Sequence, residues 1–363
     1  MSIYKDDRKT KDGRQYFFQV MKNGNLYKSK RYLTREEARK EEAKYLLKTT
    51  NPSKKKFSVV ADTFFDEIKE TRKLSTYQTY IDTYRKHILA YFSDYDINSI
   101  NIPVLKNFRE NALKMGLSIR YLNKINNVLN LILDYASVNY GIVNYNRLLG
   151  RYQEKKDKIV KEKLRYITYD EYKKLISVID DLEFKTFIML LYLTGVRLGE
   201  ALALTFEDLK DDTIIVNKTL YTKIKGSYSI TSTKTNTSRV IKIDHSLQEQ
   251  LQIYVKHMQS YTDYSSKWFL FGGVRYLAPT TINRKKHHYF VLSGVREITI
   301  HEFRHSHVSM LVNEYLKQGG KDYSAFLTKL STRLGHSISV MERTYLHLFP
   351  SNQDEIVNML NNM

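Results

Sequence analysis

The sequence contains no cysteine. Disulfide frameworks, thiolate zinc sites and cysteine nucleophiles are therefore excluded. No stretch approaches the ~20 consecutive apolar residues that a membrane-spanning helix needs. Met1 to Thr10 is polar and charged, without the apolar core of a signal peptide. There is no internal repeat and no low-complexity tract. What is abundant is positive charge. Among 363 residues, Lys and Arg number 59 against 39 Asp and Glu, a formal net charge of +20. Such an excess favours a polyanionic partner: DNA, RNA or an anionic membrane surface. The membrane is the weakest of these, and charge alone would also suit a ribosome-associated protein. The length suits two or three domains, and a hydrophobic fraction of 42% is enough for real cores. The expectation is a soluble intracellular protein.

Three segments are separated by two polar, basic joints. In the first, residues 1–50, Asp12-Gly13 and Asn23-Gly24 are turn signals of the kind that closes tight hairpins. They bracket the aromatic and β-branched run Arg14 to Val20, and Leu26 to Tyr32 follows. A small three-stranded antiparallel sheet is predicted, then a helix to about Leu47 opened by a Thr34/Glu37 capping box. So small and basic a sheet either lies in a DNA groove or is a solvated basic face. Thr49 to Lys56 reads as a linker. The second segment, residues 57–150, reads as four short helices. Phe57, Val60, Ala61, Phe64, Phe65 and Ile68 keep helical spacing. Ser75 is expected to cap a helix bearing Tyr77, Tyr80, Ile81, Tyr84 and Ile88 on one face. Pro103 suits the first turn of a third helix. Ser118 is expected to cap a fourth, facing inward with Leu122, Ile125, Leu129, Ile132, Leu133 and Ala136. These stripes are core, and the basic outer faces suit a DNA clamp. Gly150 to Arg165 is charged and aperiodic, a second linker. The third segment, residues 165–363, is mixed α and β. A Thr168/Glu171 capping box opens it, and strands are expected at 212–219, 228–233 and 239–243.

Four local patterns in the third segment carry chemical potential. Thr194-Gly195-Val196-Arg197-Leu198-Gly199-Glu200 sets an arginine beside a glycine turn and a new helix, with Glu200 on the same face to orient it. Alone, this is an ordinary helix–turn–helix junction. Thr233 to Arg239 places Lys234 between two strands, where a hairpin-tip lysine can reach a substrate, although most such lysines are merely solvated. In His301-Glu302-Phe303-Arg304-His305, His301 and Arg304 share a helix face and together can hold a phosphate. The same string matches the H-E-x-x-H zinc-protease pattern. That reading finds no third ligand nearby and leaves Arg197, His336 and Tyr345 without roles. Finally, Leu334-Gly335-His336 precedes Tyr345 by nine residues. With 29 tyrosines in the chain, a lone tyrosine carries no weight, and a histidine after a glycine turn is usually a cap or surface residue.

Taken in order, Arg197, a hairpin lysine, His301 with Arg304, Gly335-His336 and Tyr345 closely resemble the tyrosine recombinase family of phage and transposon integrases. Thr194 to Glu200 matches the family's Thr-Gly-x-Arg-x-x-Glu. His301, Arg304 and His305 match its His-x-x-Arg-His, Leu334 to His336 its Leu-Gly-His, and Tyr345 its nucleophile. Lys234 best fits the family's catalytic lysine, with Lys223 and Lys225 as alternatives. Phe303 stands where leucine is usual. The resemblance implies a multidomain, mainly α protein with small β elements. Residues 1–50 would be an arm-site DNA-binding domain, 57–150 a helical core-site domain and 165–363 the catalytic domain.

The chemistry this implies suits the residue types. Arg197 and Arg304 would fork onto the phosphoryl oxygens. The tyrosine hydroxyl, with an ordinary pKa near ~10, needs a base or a strongly cationic site. His301 is the candidate proton acceptor, Lys234 the proton donor to the leaving 5′-oxygen, and His336 a hydrogen-bonding partner of the phosphate. Glu200 and His305 would orient these groups. The family implies a 3′-phosphotyrosine, a Holliday junction and four protomers on two duplexes. It implies no cofactor and no metal, in keeping with the absence of a Gly-rich P-loop and of a carboxylate cluster. The implied partners are double-stranded attachment-site DNA, a homo-tetramer on that DNA, and an excisionase or host DNA-bending protein. The implied location is the bacterial cytoplasm, on the nucleoid when bound, with no membrane partner. The tail, with Ile356, Val357, Met359 and Leu360 at helical spacing, either docks on a neighbouring protomer or packs on its own domain. A type IB topoisomerase, a chromosome-dimer resolvase and a non-catalytic DNA-binding protein are the rival readings. The arm-like first segment favours recombination.

Overall fold

The structure is a computed structural model that describes residues 3–6, 10–22, 25–49, 55–153, 165–224, 227–232 and 238–349. The chain divides into two compact units, Met1–Val160 and Lys161–Met363. Among the described residues no helix is long and apolar enough to cross a membrane.

The first unit opens with an antiparallel sheet of β1 (Ile3–Lys5), β2 (Tyr16–Lys22) and β3 (Asn25–Lys28) in the order β1-β2-β3. Lys22 pairs with Asn25, leaving a connection of two residues, Asn23 and Gly24, which lie outside the described residues. The Asp12-Gly13 turn is wider than a two-residue hairpin. Thr10 pairs with Arg14 and Asp6 with Gln15 before β2 begins. Helix α1 (Arg35–Thr49) follows, with Thr34 accepting from the Glu37 amide and Glu37 reaching back to the Leu33 amide. Phe18, Tyr32 and Ala38 form the small core of sheet and helix.

Next come α2 (Phe57–Thr71), α3 (Leu74–His87), the single turn α4 (Leu89–Phe92), α5 (Ile102–Lys114) and α6 (Ile119–Tyr140). The predicted stripes make one core that includes Phe57, Val60, Phe64, Ile81, Tyr84, Ile125, Leu129 and Leu133. Asn101 caps α5 and Ser118 caps α6. Two expectations are corrected. Lys73 is the residue that precedes α3, and its side chain makes no cap bond, so Ser75 sits inside the first turn. The fourth helix is not short: α6 runs 22 residues before Gly141 ends it. The predicted linker also begins too early. Asn123 bonds both the amide and the carbonyl of Tyr152, at 2.9 and 3.0 Å. Arg109 donates to the Gly150 carbonyl and covers the buried Tyr152 ring at 4.1 Å. Polar side chains hold this stretch, so apolar periodicity gives no sign of it.

The second unit contains α7 (Tyr169–Ser177), α8 (Leu182–Thr194), α9 (Leu198–Ala203), β4 (Leu209–Lys210), β5 (Thr213–Val216), β6 (Lys218–Ile224), β7 (Ser227–Ser232), β8 (Arg239–Lys242), α10 (His245–Gln259), α11 (Pro279–Ser293), α12 (Ile300–Lys317), α13 (Tyr323–Leu334) and α14 (Ile338–Tyr345). Helix α8 is apolar nearly all round and is buried by α7, α10 and α12, as such a helix must be. The strand expected at 212–219 is two strands in different sheets. β5 lies between β4 and β8, while β6 pairs with β7. One large core includes Phe187, Leu191, Ile214, Ile241, Phe271 and Phe303. A second is built by Val308 and Val312 of α12 with Leu327, Leu330, Leu334, Met341, Tyr345 and Phe349.

Candidate active site

Two glycine turns frame the site. The first ends α8 at Gly195, in the left-handed conformation at φ 66°. A Cβ there would stand 2.7 Å from Leu334 and 2.8 Å from His307, so the two helices close only around glycine. The turn delivers Arg197, in extended backbone, to the start of α9. At Gly199 a Cβ would meet Thr219 Oγ1 at 2.5 Å and the Leu220 carbonyl at 2.9 Å, so α9 lies directly on β6. Glu200 then caps its own helix. One oxygen accepts from the Arg197 amide at 2.9 Å, and the other from Arg197 Nη1 at 2.8 Å.

The second turn is Gly335, which ends α13 in the same left-handed conformation and presents His336. Helix α12, capped by Thr299 and Glu302, carries His301, Arg304 and His305 between the turns. Arg304 is 1% exposed, and its guanidinium stitches the turns together. Nη1 donates to the Gly195 carbonyl at 2.7 Å and Nη2 to the Leu334 carbonyl at 2.8 Å. Arg197 Nη2 donates to the Gly335 carbonyl at 3.1 Å. Burial, then the Arg197 charge, pulls Arg304 down to about 9, which leaves it protonated at neutral pH. Arg304 Nε and His336 Nδ1 are buried and have no partner among the described residues. A buried guanidinium donor without an acceptor is costly, and an anion reaching Arg304 Nε would satisfy it.

Tyr345 ends α14 and is 1% exposed. Its hydroxyl lies 2.7 Å from Nδ1 of His305. Burial pushes the phenol up to about 12, against the pull of Arg304. Burial, followed by the neighbouring His301, lowers His305 to about 4, so it is neutral and can accept the phenolic proton. His301, the expected acceptor, is exposed, its ring edge-on to His305 at 5.2 Å between centroids. Glu302, the base of the zinc-protease pattern, instead caps α12 through the Thr299 amide. The structure thus brings together Arg197, Glu200, His301, Arg304, His305, His336 and Tyr345. Lys234 lies outside the described residues, as do Lys225 and the tail. In the sequence Lys234 falls between β7 and β8, two strands that belong to different sheets. Of Lys223 only the backbone is described.

Sequence reasoning missed two polar residues that support the site, Arg239 and His307. Arg239 at the start of β8 holds Glu200 through two bonds, at 2.7 and 3.1 Å, and donates from Nε to the Arg333 carbonyl at 3.0 Å. A signal was available. Arg239 alternates in register with the inward-facing Ile241 and Ile243, while Val240 is exposed. Burial opposes ionisation of Glu200, but Arg239 and then Arg197 hold its carboxyl down to about 2. His307 is buried between the Tyr192 carbonyl and Arg333, and gave no sequence signal. Burial, then Arg333, lowers it to about 3 from an ordinary 6.5. A histidine depressed by folding stabilises the fold above its unfolded pKa and loses that contribution as pH falls toward the folded value. For His307 the window runs from 6.5 down to about 3. At pH 5 the loss from this residue is roughly 2 kcal/mol, at ~1.4 kcal/mol per unit. Urea unfolding at pH 7 and pH 5 measures it. The difference is expected to shrink in His307→Gln, and an unchanged difference would remove His307 as the cause.

Comparison with known proteins agrees with this architecture. Residues 165–351 match the model of the phage integrase family, and residues 56–112 match its N-terminal SAM-like domain. The chain is 30% identical over 311 residues to the ICEBs1 integrase of Bacillus subtilis strain 168, covering 80% of this chain and 78% of that protein. Among solved structures, the Tn1549 transposon integrase in complex with circular intermediate DNA superposes with a TM-score of 0.63 at 17% identity. That match covers 84% of this chain and 99% of the other. A lambda integrase tetramer bound to a Holliday junction superposes at 0.57 and 15% identity, over 92% and 95% of the two chains. Those likenesses establish the fold, and the two matching regions together with the Bacillus relative establish the kinship. The chain belongs to the phage integrase family, the tyrosine recombinases that cut and rejoin DNA strands, and is an integrase of the mobile-element type.

Proposed function

We propose that Tyr345 is the nucleophile of site-specific DNA strand exchange at the attachment sites of a mobile genetic element. The observation that carries the reading is the Tyr345 hydroxyl on a neutral histidine of α12, one residue from Arg304, whose buried Nε lacks an acceptor. In the forward step the phenolic proton passes to His305, and Tyr345 Oη bonds to phosphorus. The phosphorus–O5′ bond breaks, and the leaving oxygen takes a proton from Lys234. Proton-accepting work moves from His301 to His305 because His305 holds the hydroxyl; His301 remains beside it within the cationic site. Arg197, Arg304 and His336 bind the phosphate. General acid–base help of this kind is worth roughly 100- to 10,000-fold. The phosphotyrosine keeps the bond energy, so a 5′-hydroxyl from a partner strand reverses the step. No nucleotide and no metal enters the scheme.

The lambda structure is of a tetramer on a Holliday junction, and we assign the same assembly to this chain on double-stranded DNA, within the bacterial cytoplasm. Residues 1–50 would read arm sites, 57–150 clamp the core site and 165–363 catalyse, with an excisionase or a host DNA-bending protein setting direction. Strand-transfer assays with purified protein and attachment-site DNA in chelator test this. Joined products are expected without ATP. A chain lacking residues 1–48 is expected to cleave core-site DNA at the native rate but to lose integration. Normal integration by the truncated chain would end the arm-site reading, and an absolute requirement for a divalent metal would end the proposed chemistry.

A further inference from the structure

We propose that Arg239 is a positioning residue of the recombinase centre, holding Glu200 so that Arg197 and Arg304 remain available to the scissile phosphate. The inference rests on the reading of those two arginines as the phosphate-binding pair. Glu200 is 1% exposed and is contacted by both Arg197 and Arg239. An isolated carboxylate so deeply buried would seize any cation in reach. Without Arg239, the cation in reach is Arg197. Both carboxylate oxygens would then compete with the substrate for the Arg197 guanidinium.

Arg239 prevents this by position and by charge. Its side chain is 9% exposed, and each of its three nitrogens donates to Glu200 or to the Arg333 carbonyl, so it faces the carboxylate and not the solvent. Arg197 is more accessible, at 20%. The centre thus sets three guanidiniums, Arg197, Arg239 and Arg304, against the single carboxylate of Glu200. Removing Arg239 halves the surplus of positive charge offered to the phosphate. Arg239 also lies under the second turn: a Cβ at Gly335 would come within 3.3 Å of its Nη1. It therefore ties β8 to the backbone that presents His336.

A charge-balance role makes a demand that a packing role does not. The test measures single-turnover formation of the covalent adduct on a nicked core-site duplex, alongside DNA affinity and thermal melting, for the full-length chain. Arg239→Gln is expected to slow adduct formation at saturating DNA by about 100-fold, with affinity changed less than about threefold. Arg239→Lys, which keeps the charge but not the fork, is expected to recover at least tenfold of that loss. The double variant Arg239→Gln with Glu200→Gln is also expected to recover about tenfold, because the competing carboxylate is gone. A double variant as slow as Arg239→Gln or slower, or a lysine variant no faster than the glutamine one, would overturn the proposal in favour of packing. Should Arg239→Gln fail to melt cooperatively, the Arg239→Lys rate alone decides, with a loss beyond about 30-fold counting against. A native chain that forms no adduct overturns the parent reading and this one together. A native chain that reacts while Arg239→Gln reacts equally fast overturns this one alone.

Discussion

Tyr345→Phe is expected to bind attachment-site DNA as the native chain does and to form no covalent adduct. The substitution removes one oxygen from a side chain that otherwise serves as core. The ring packs with Val308, Leu330 and Met341 and stays buried without its hydroxyl. What is lost locally is one hydrogen bond to His305, worth about 1 kcal/mol, so folding and DNA affinity should hold. Chemistry should not, because no other group replaces the attacking oxygen. The measurement is a labelled duplex nicked near the cut, incubated with protein and run on a denaturing gel. Native protein should give a protease-sensitive shifted band, and the variant none. Since the chain has 29 tyrosines, a residual band in the variant would mean that another phenol attacks, and the assignment would fall.

Arg304→Gln should separate catalysis from stability almost as sharply. The guanidinium is buried, has no carboxylate in direct contact among the described residues, and spends two of its donors on backbone carbonyls. A glutamine amide reaches at most one of those carbonyls. The other is left unpaired at a cost of about 1–3 kcal/mol. Against this stands the removal of a charge that burial already disfavours. Burying a charge without a directly paired counter-charge is itself costly, so its removal relieves part of that cost. The two effects are of similar size and opposite sign, so the melting temperature should move by only a few degrees. The cleavage rate should fall at least ~1,000-fold, since the transition state loses both a charge and a preorganised donor. Cleavage within tenfold of native would show that Arg304 is a structural stitch and not a phosphate ligand.

Most of the helical architecture was legible because it rests on short-range rules, whereas the candidate site was read from its ordered resemblance to a family. Helical spacing named the cores of α2 and α6, and the capping rule found Thr34, Ser118 and Thr168. The glycines at 195 and 335 marked the turns that carry Arg197 and His336. The misses share a cause: they depend on contacts between residues far apart in the chain. Nothing local distinguishes His305 from His301 as the partner of Tyr345; forty residues separate the pair that the fold brings to 2.7 Å. The split of 212–219 into two strands follows from which sheet each half joins, and a β-run does not encode that. The Asn123–Tyr152 clasp is polar on both sides and so leaves no hydrophobic trace.

The hydroxyl proposed to attack is held less acidic than an ordinary phenol by its own burial. At neutral pH an ordinary phenol is ionised about once in a thousand molecules. With its pKa pushed to about 12, Tyr345 is ionised roughly once in a hundred thousand. The resting enzyme is therefore a safe passenger among the many phosphodiesters of a genome. Under the proposed chemistry, reactivity would come with the duplex, whose phosphate would give the buried Nε of Arg304 an acceptor. On that reading the burial of Tyr345 alone would hold the hydroxyl back, before any partner or regulator acts.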